Sequence, residues 1–149
     1  MSKNCESIII DANINNVFDF CTSFQFPLLG NGLISNVKFE GDPKKVGGKI
    51  MYLLLHKFKI TSIVQEINGF TQEDNEDDNN EWNYKYKAIF EDGENEIFNI
   101  IFISCENGSK TYICIENDIN EKVEQKEMEE LSKRKLLLLN SLKKYFLKK

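Results

Sequence analysis

The chain lacks the marks of a membrane anchor, a nucleic-acid surface, a metal cluster or a familiar catalytic triad. Its uninterrupted apolar runs, such as residues 136–139, fall far short of the roughly 20 residues a bilayer span requires. Met1 is followed by Ser, Lys, Asn, Cys and Glu, with no apolar core of the signal-peptide kind. No Gly follows Met1 and no prenylation box closes the sequence, so no lipid anchor is expected. Basic charge is not in excess: 19 Lys and Arg stand against 24 Asp and Glu, a net charge of −5, which argues against nucleic acid as a partner. Cys5, Cys21, Cys105 and Cys114 form no CxxC pair and no metal-ligand spacing, so no metal is expected. Free thiols in a reducing cytosol are the expectation, and with them a cytoplasmic protein. His56 is the only histidine, and no local Ser-His-Asp or Cys-His pattern accompanies it. It is expected at a strand end in contact with solvent; as a general acid or base it would have to work with Tyr52 or Tyr84.

What is present is the composition of one globular domain spanning residues 1–149, with 41% apolar and 29% charged residues. The strongest pattern lies at residues 120–149, which read as one long amphipathic helix. Met128, Leu131, Leu138, Leu139, Leu142, Tyr145 and Phe146 share a face at the 3.6-residue period. At 1.5 Å per residue the helix would run roughly 40 Å and needs a large apolar surface to lie on. Lys133, Arg134, Lys135, Lys143, Lys144, Lys148 and Lys149 concentrate basic charge there. Cations near a helix C-terminus oppose the negative end of its dipole, which explains most of them. The remaining possibility is an anionic partner or transient contact with a membrane surface.

Upstream, residues 7–11 form a β-branched run that predicts a first strand. Asp11 or Asn13 can cap a following helix that carries Ile14, Val17, Phe18 and Cys21 on one face. Residues 24–33 stay apolar, but Pro27, Gly30 and Gly32 allow only a short, broken second helix. Strands are then predicted at 34–40, 49–56 and 58–67, separated by Gly41-Asp42-Pro43 and opened by Gly47-Gly48. The segment 71–81 is acidic and Asn-rich; it lacks the glycine and closing glutamate of an EF-hand and reads as a solvated loop. Residues 82–90 alternate strictly, with Trp82, Tyr84, Tyr86, Ala88 and Phe90 on one face. Residues 96–105 and 110–118 form the clearest hairpin, turned at Asn107-Gly108. Its register sets Phe102 against Ile113, Ile100 against Ile115, Ser104 against Thr111 and Cys105 against Lys110. A disulfide between Cys105 and Cys114 is therefore not expected. Short loops between successive strands imply an antiparallel meander.

This order of elements resembles the START/polyketide-cyclase/birch-pollen-allergen superfamily, the helix-grip fold. Ile8-Ile9-Ile10-Asp11-Ala12-Asn13-Ile14 through Val17-Phe18 is similar to the family's opening strand and helix start, with Asn13 where Pro is usual. Phe39-Glu40-Gly41-Asp42-Pro43 and Val46-Gly47-Gly48-Lys49-Ile50 are similar to its hairpin and glycine-bearing loop, and the Leu-rich terminal helix completes the likeness. The resemblance implies an α+β fold: a curved antiparallel sheet of seven strands around the long C-terminal helix, two short helices after the first strand, and a cavity between sheet and helix. Members of the family bind lipids, sterols, hormones or polyketides; a minority are cyclases or chaperone-binding domains.

On that fold Tyr52, Phe58, Tyr84, Tyr86, Phe98, Phe102 and Ile113 face inward, with Leu138 and Leu142 on the helix. They either line a pocket for a hydrophobic, lipid-like molecule or close into an aromatic core. Lys135 sits near the centre of the helical stripe. It either meets a ligand carboxylate or phosphate at the pocket mouth, or reaches water where the helix turns away. The expected activity is non-enzymatic binding or transfer of the hydrophobic molecule, without a cofactor and with no catalytic set assigned. The alternatives are a cyclase- or hydrolase-type enzyme using the same cavity, and an interaction domain resembling the activators of chaperone ATPases. Access to the cavity would require movement of residues 24–33 or of the loop around Gly47-Gly48.

Overall fold

The computed structural model describes residues 2–68, 81–119 and 125–147. The acidic stretch 71–80, the Gly69 of the Asn68-Gly69 turn signal, and both ends of the predicted terminal helix lie outside the described residues.

The chain runs β1 (Ser2–Ile10), α1 (Ile14–Thr22), a short 3-10 helix (Phe26–Leu29), β2 (Ile34–Glu40), β3 (Lys49–Leu54), β4 (Phe58–Asn68), β5 (Glu81–Phe90), β6 (Asn95–Cys105), β7 (Lys110–Ile119) and α2 (Gln125–Leu147). The strands form one seven-stranded sheet ordered β1-β7-β6-β5-β4-β3-β2, antiparallel at every pairing. The fold is thus a helix-grip α+β fold. The second short helix is realised as a single 3-10 turn, with Pro27 at its start and Gly30 closing it in the left-handed conformation.

Local chemistry fixes these elements. The Asn13 side chain accepts the Asn16 N–H at 3.0 Å and caps α1, and Ile14, Val17 and Cys21 are buried along its inner face. The β6–β7 hairpin has the register its alternation predicts, including Phe102 opposite Ile113 and Cys105 opposite Lys110. Asn107 and Gly108 both take positive φ, and the Ser109 N–H closes the turn on the Glu106 carbonyl at 3.2 Å. Gly48 is required by space: a Cβ there would lie 2.1 Å from the Asp42 carbonyl oxygen. The loop it closes is tied to the rest of the fold twice. Tyr84 Oη donates to the Pro43 carbonyl at 2.7 Å, and Lys44 pairs with Asp19 of α1.

The cysteines depart from the sequence expectation. β1 begins at Ser2 rather than at residue 7, which brings Cys5 into the sheet opposite Glu116, with Ser7 opposite Cys114. Cys5 and Cys114 are then diagonal neighbours with Cα atoms 6.5 Å apart, and they are joined as a disulfide. Only Cys21 and Cys105 are free thiols among the described residues. No described helix is long and apolar enough to cross a membrane.

Candidate functional site

α2 buries Lys135, Leu139, Leu142 and Phe146, a stripe at spacings of four, three and four, and its described length of 23 residues corresponds to about 34 Å. The two halves of that stripe meet different surroundings. Toward the C-terminus, Phe20 of α1 packs on Phe26, Tyr145 and Phe146 with ring centroids 6.2, 4.7 and 5.6 Å away. Phe18 packs edge-on against Trp82 and Phe102 across the sheet. This end is filled.

Under the N-terminal half lies a cavity of about 160 Å³. Leu33, Ile34, Leu54, Ile60, Ala88, Phe90, Ile115, Leu131 and Leu138 give it apolar walls, while Tyr52, Tyr86, Glu96, Arg134 and Lys135 bring polar groups. The volume far exceeds that of a single water and resembles cavities that accept benzene. It falls below the roughly 300–1,000 Å³ of pockets for drug-sized molecules.

The ten residues singled out in the sequence separate on this geometry. Tyr52, Tyr86, Phe98, Lys135 and Leu138 line the cavity. Tyr84, Phe102, Ile113 and Leu142 are buried but do not line it, and belong to the packed core. Phe58 is 42% exposed at the start of β4, so it neither lines the cavity nor joins the core. It is the first residue of β4, next to the β3–β4 turn, where Leu55 and His56 both take positive φ. His56 is exposed at the same turn, its Nδ1 3.2 Å from Ser35 Oγ, and does not approach Tyr52 or Tyr84 as a catalytic partner.

Lys135 follows neither course proposed for it. It is only 5% exposed, so it does not turn away to water. Its ammonium donates to the backbone carbonyl of Asn4 at 2.9 Å and to the Oδ1 atoms of Asn4 and Asn117. An ammonium has three donors, and all three are engaged. Asn4 Nδ2 in turn donates to Ser132 Oγ at 2.9 Å, so the cluster pins α2 to β1 and β7. Burial pushes the Lys135 pKa down to about 8, against the opposing pull of Glu96, Glu6 and Glu116. No donor is left over for a ligand anion.

The polar group that sequence reasoning missed is Glu96. It faces Ala88 across the β5–β6 ladder and lines the cavity, and its Oε2 is buried without a hydrogen-bond partner among the described residues. Burial raises its pKa; Lys135 and Arg134 pull it down, and Glu94 pushes it further up. None of these cations forms an ion pair with it among the described residues. The signal that could have found it is the alternation of β6, where Glu96 shares a face with Phe98, Ile100 and Phe102.

The tyrosines are held protonated. Burial pushes Tyr52 up to about 12, and its hydroxyl lies 3.1 Å from Ser62 Oγ. Tyr86 is raised well above the ordinary phenol, again by burial first, and stacks on Phe98 with centroids 5.5 Å apart.

No family model matches the sequence, and no curated protein matches it. Solved structures do match. A hypothetical protein from Helicobacter pylori aligns with a TM-score of 0.75 at 10% identity, over 97% of this chain and 88% of its own. Ara h 8.0201 aligns with a TM-score of 0.71 at 12% identity, over 99% of both chains. Major latex-like protein 151 from Panax ginseng aligns at 0.67 with 14% identity, over 98% of this chain and 97% of its own. DynU16, a putative protein of the dynemicin biosynthetic locus, aligns at 0.64 with 12% identity, over 97% of this chain and 47% of its own. At such identities the likeness is one of fold, and it spans nearly the whole chain: this protein has the helix-grip fold of those structures, as the resemblance in its sequence implied.

Proposed function

We propose that the protein binds a small hydrophobic molecule, lipid-like in its apolar body, in the cavity between the sheet and the N-terminal half of α2, and does not transform it. The observation that carries this reading is the cavity itself: about 160 Å³ of space with mostly apolar walls, whereas the groove at the other end of the helix has a largely polar rim. Interiors rarely leave such space unfilled. Apolar burial would provide most of the affinity, at about 25 cal/mol per Å² removed from water. The volume limits the occupant to a single ring or a short chain unless the cavity opens further.

Enzymatic turnover has less support. Tyr52 and Tyr86 hold their protons far above neutral pH, the Lys135 donors are engaged, and Glu96 Oε2 has no hydrogen-bond partner among the described residues with which to pass a proton. Leu33 lines the cavity, so movement of residues 24–33 is the favoured route of access; the Gly47-Gly48 loop does not line it.

Calorimetric titration with toluene tests the reading in the wild type and in Ala88→Leu, which fills the cavity from β5. Saturable binding to the wild type and none to a folded Ala88→Leu protein is the expected result. Failure of the wild type to bind, or equal binding by both, would place any ligand elsewhere.

A further inference from the structure

The polar groups around the cavity differ in what they can still offer. Lys135 has its three donors on Asn4 and Asn117, and the Tyr52 hydroxyl is paired with Ser62. Arg134 lines the cavity but is exposed, where pairing with an anion gains little over hydration. Glu96 differs from all of these. Its Oε2 is withdrawn from water and receives no hydrogen bond from any described residue. Leaving a carboxylate oxygen in that state costs folding free energy, and nothing in the packing of β6 requires an acid at this position.

We propose that Glu96 is the recognition residue of the cavity, and that the ligand is a small apolar molecule bearing a hydrogen-bond donor, a hydroxyl or a protonated amine, rather than a carboxylate or phosphate. The proposal rests on the cavity being a binding site. A donor reaching Oε2 forms a charge-assisted hydrogen bond in a poorly hydrated setting, where such bonds are strongest. An anionic ligand meets the opposite case. It faces the Glu96 charge and finds the Lys135 ammonium engaged, leaving only the exposed, hydrated Arg134 guanidinium, so like-charge repulsion disfavours it. Tyr86 lies on the same lining, so its hydroxyl can serve as a second contact to the ligand's polar end. This inverts the role expected of Lys135: the cation is a structural pin, and the carboxylate is the group left for the ligand.

Four probes of one shape separate the possibilities: toluene, benzyl alcohol, benzylamine and benzoate, each titrated calorimetrically into wild-type protein and Glu96→Gln at neutral pH. Benzylamine and benzyl alcohol are expected to bind about tenfold more tightly than toluene, with benzoate weakest, as a hydrogen bond to a charged acceptor supports. Glu96→Gln should bring benzylamine to the affinity of toluene and leave toluene unchanged. Benzoate binding most tightly, or an order that Glu96→Gln does not alter, would overturn the assignment. If toluene binds and all four probes are alike, the cavity reading stands and the role of Glu96 fails; if none binds, the cavity reading is lost and this proposal with it.

Discussion

Beneath the C-terminal half of α2, Leu142 and Phe146 are packed against a continuous core, and Phe20 touches three aromatic rings. Beneath the N-terminal half, Leu131, Lys135 and Leu138 border an open volume and a buried polar cluster. The same helix therefore does two kinds of physical work. One end gains stability from close packing. The other leaves space and keeps a buried carboxylate oxygen that no described residue pairs with, both of which lower stability unless something else occupies the site.

Substitutions along the helix should expose this contrast. The largest effect is expected for Lys135→Ala, which leaves Asn4 and Asn117 with buried, unpaired oxygens and reduces the pin on α2 to the Asn4–Ser132 hydrogen bond. Urea unfolding should show a loss of roughly 3–5 kcal/mol, in the range for breaking a buried charged network. A loss under 1 kcal/mol would mean that the cluster is not a pin. Next come two leucines on neighbouring turns. Leu142→Ala at the filled end should cost about 2–5 kcal/mol, whereas Leu138→Ala beside existing space should cost only about 1 kcal/mol. Equal costs would remove the distinction between the two ends.

Glu96→Gln should raise stability at neutral pH by about 1 kcal/mol, a modest figure because the side chain is only partly buried. The sign follows from its raised pKa. The folded state holds the Glu96 proton more tightly than the unfolded state, so this group favours folding most below the ordinary carboxylate value of 4.5 and loses that contribution as pH rises through the folded pKa. The advantage of Glu96→Gln over wild type should accordingly shrink in acid, and a gap independent of pH would contradict the buried-carboxylate account. Lys135 has the reverse sign. Its folded pKa of about 8 lies below the unfolded 10.5, so the unfolded state binds more protons between those values and stability rises with pH there. Compared with Lys135→Met, whose tyrosines and Cys21 titrate alike, the wild type should gain ground through that window. Parallel pH profiles would show that the ammonium is not desolvated.

How far the sequence revealed this depended on the range of the contacts involved. The β6–β7 register was readable because Asn107-Gly108 and strict alternation are local signals. The position of Lys135 within the stripe followed from helical spacing alone, but its partners did not, because Asn4 lies 131 residues away in sequence. The Cys5–Cys114 disulfide was hidden for a similar reason: it depends on β1 pairing with β7 across 109 residues. Phe58 has the inward parity of Ile60, Ser62 and Val64 but lies at the exposed end of β4, and alternation does not say how far along a strand its cover extends. Whether the inward aromatics closed a core or lined a cavity could not be read from periodicity at all. Tyr84 and Phe102 did the first, and Tyr86 and Phe98 the second, on the same faces of the same strands.

The measurement that bears most directly on the contrast between the two ends is a structure of the protein with toluene diffused into it. The account requires the ring to lie under the N-terminal half of α2, against Tyr86, Phe98 and Leu138, with the packing of Phe20, Tyr145 and Phe146 unchanged. An empty cavity at saturating toluene, or a ring lodged at the aromatic end instead, would contradict it.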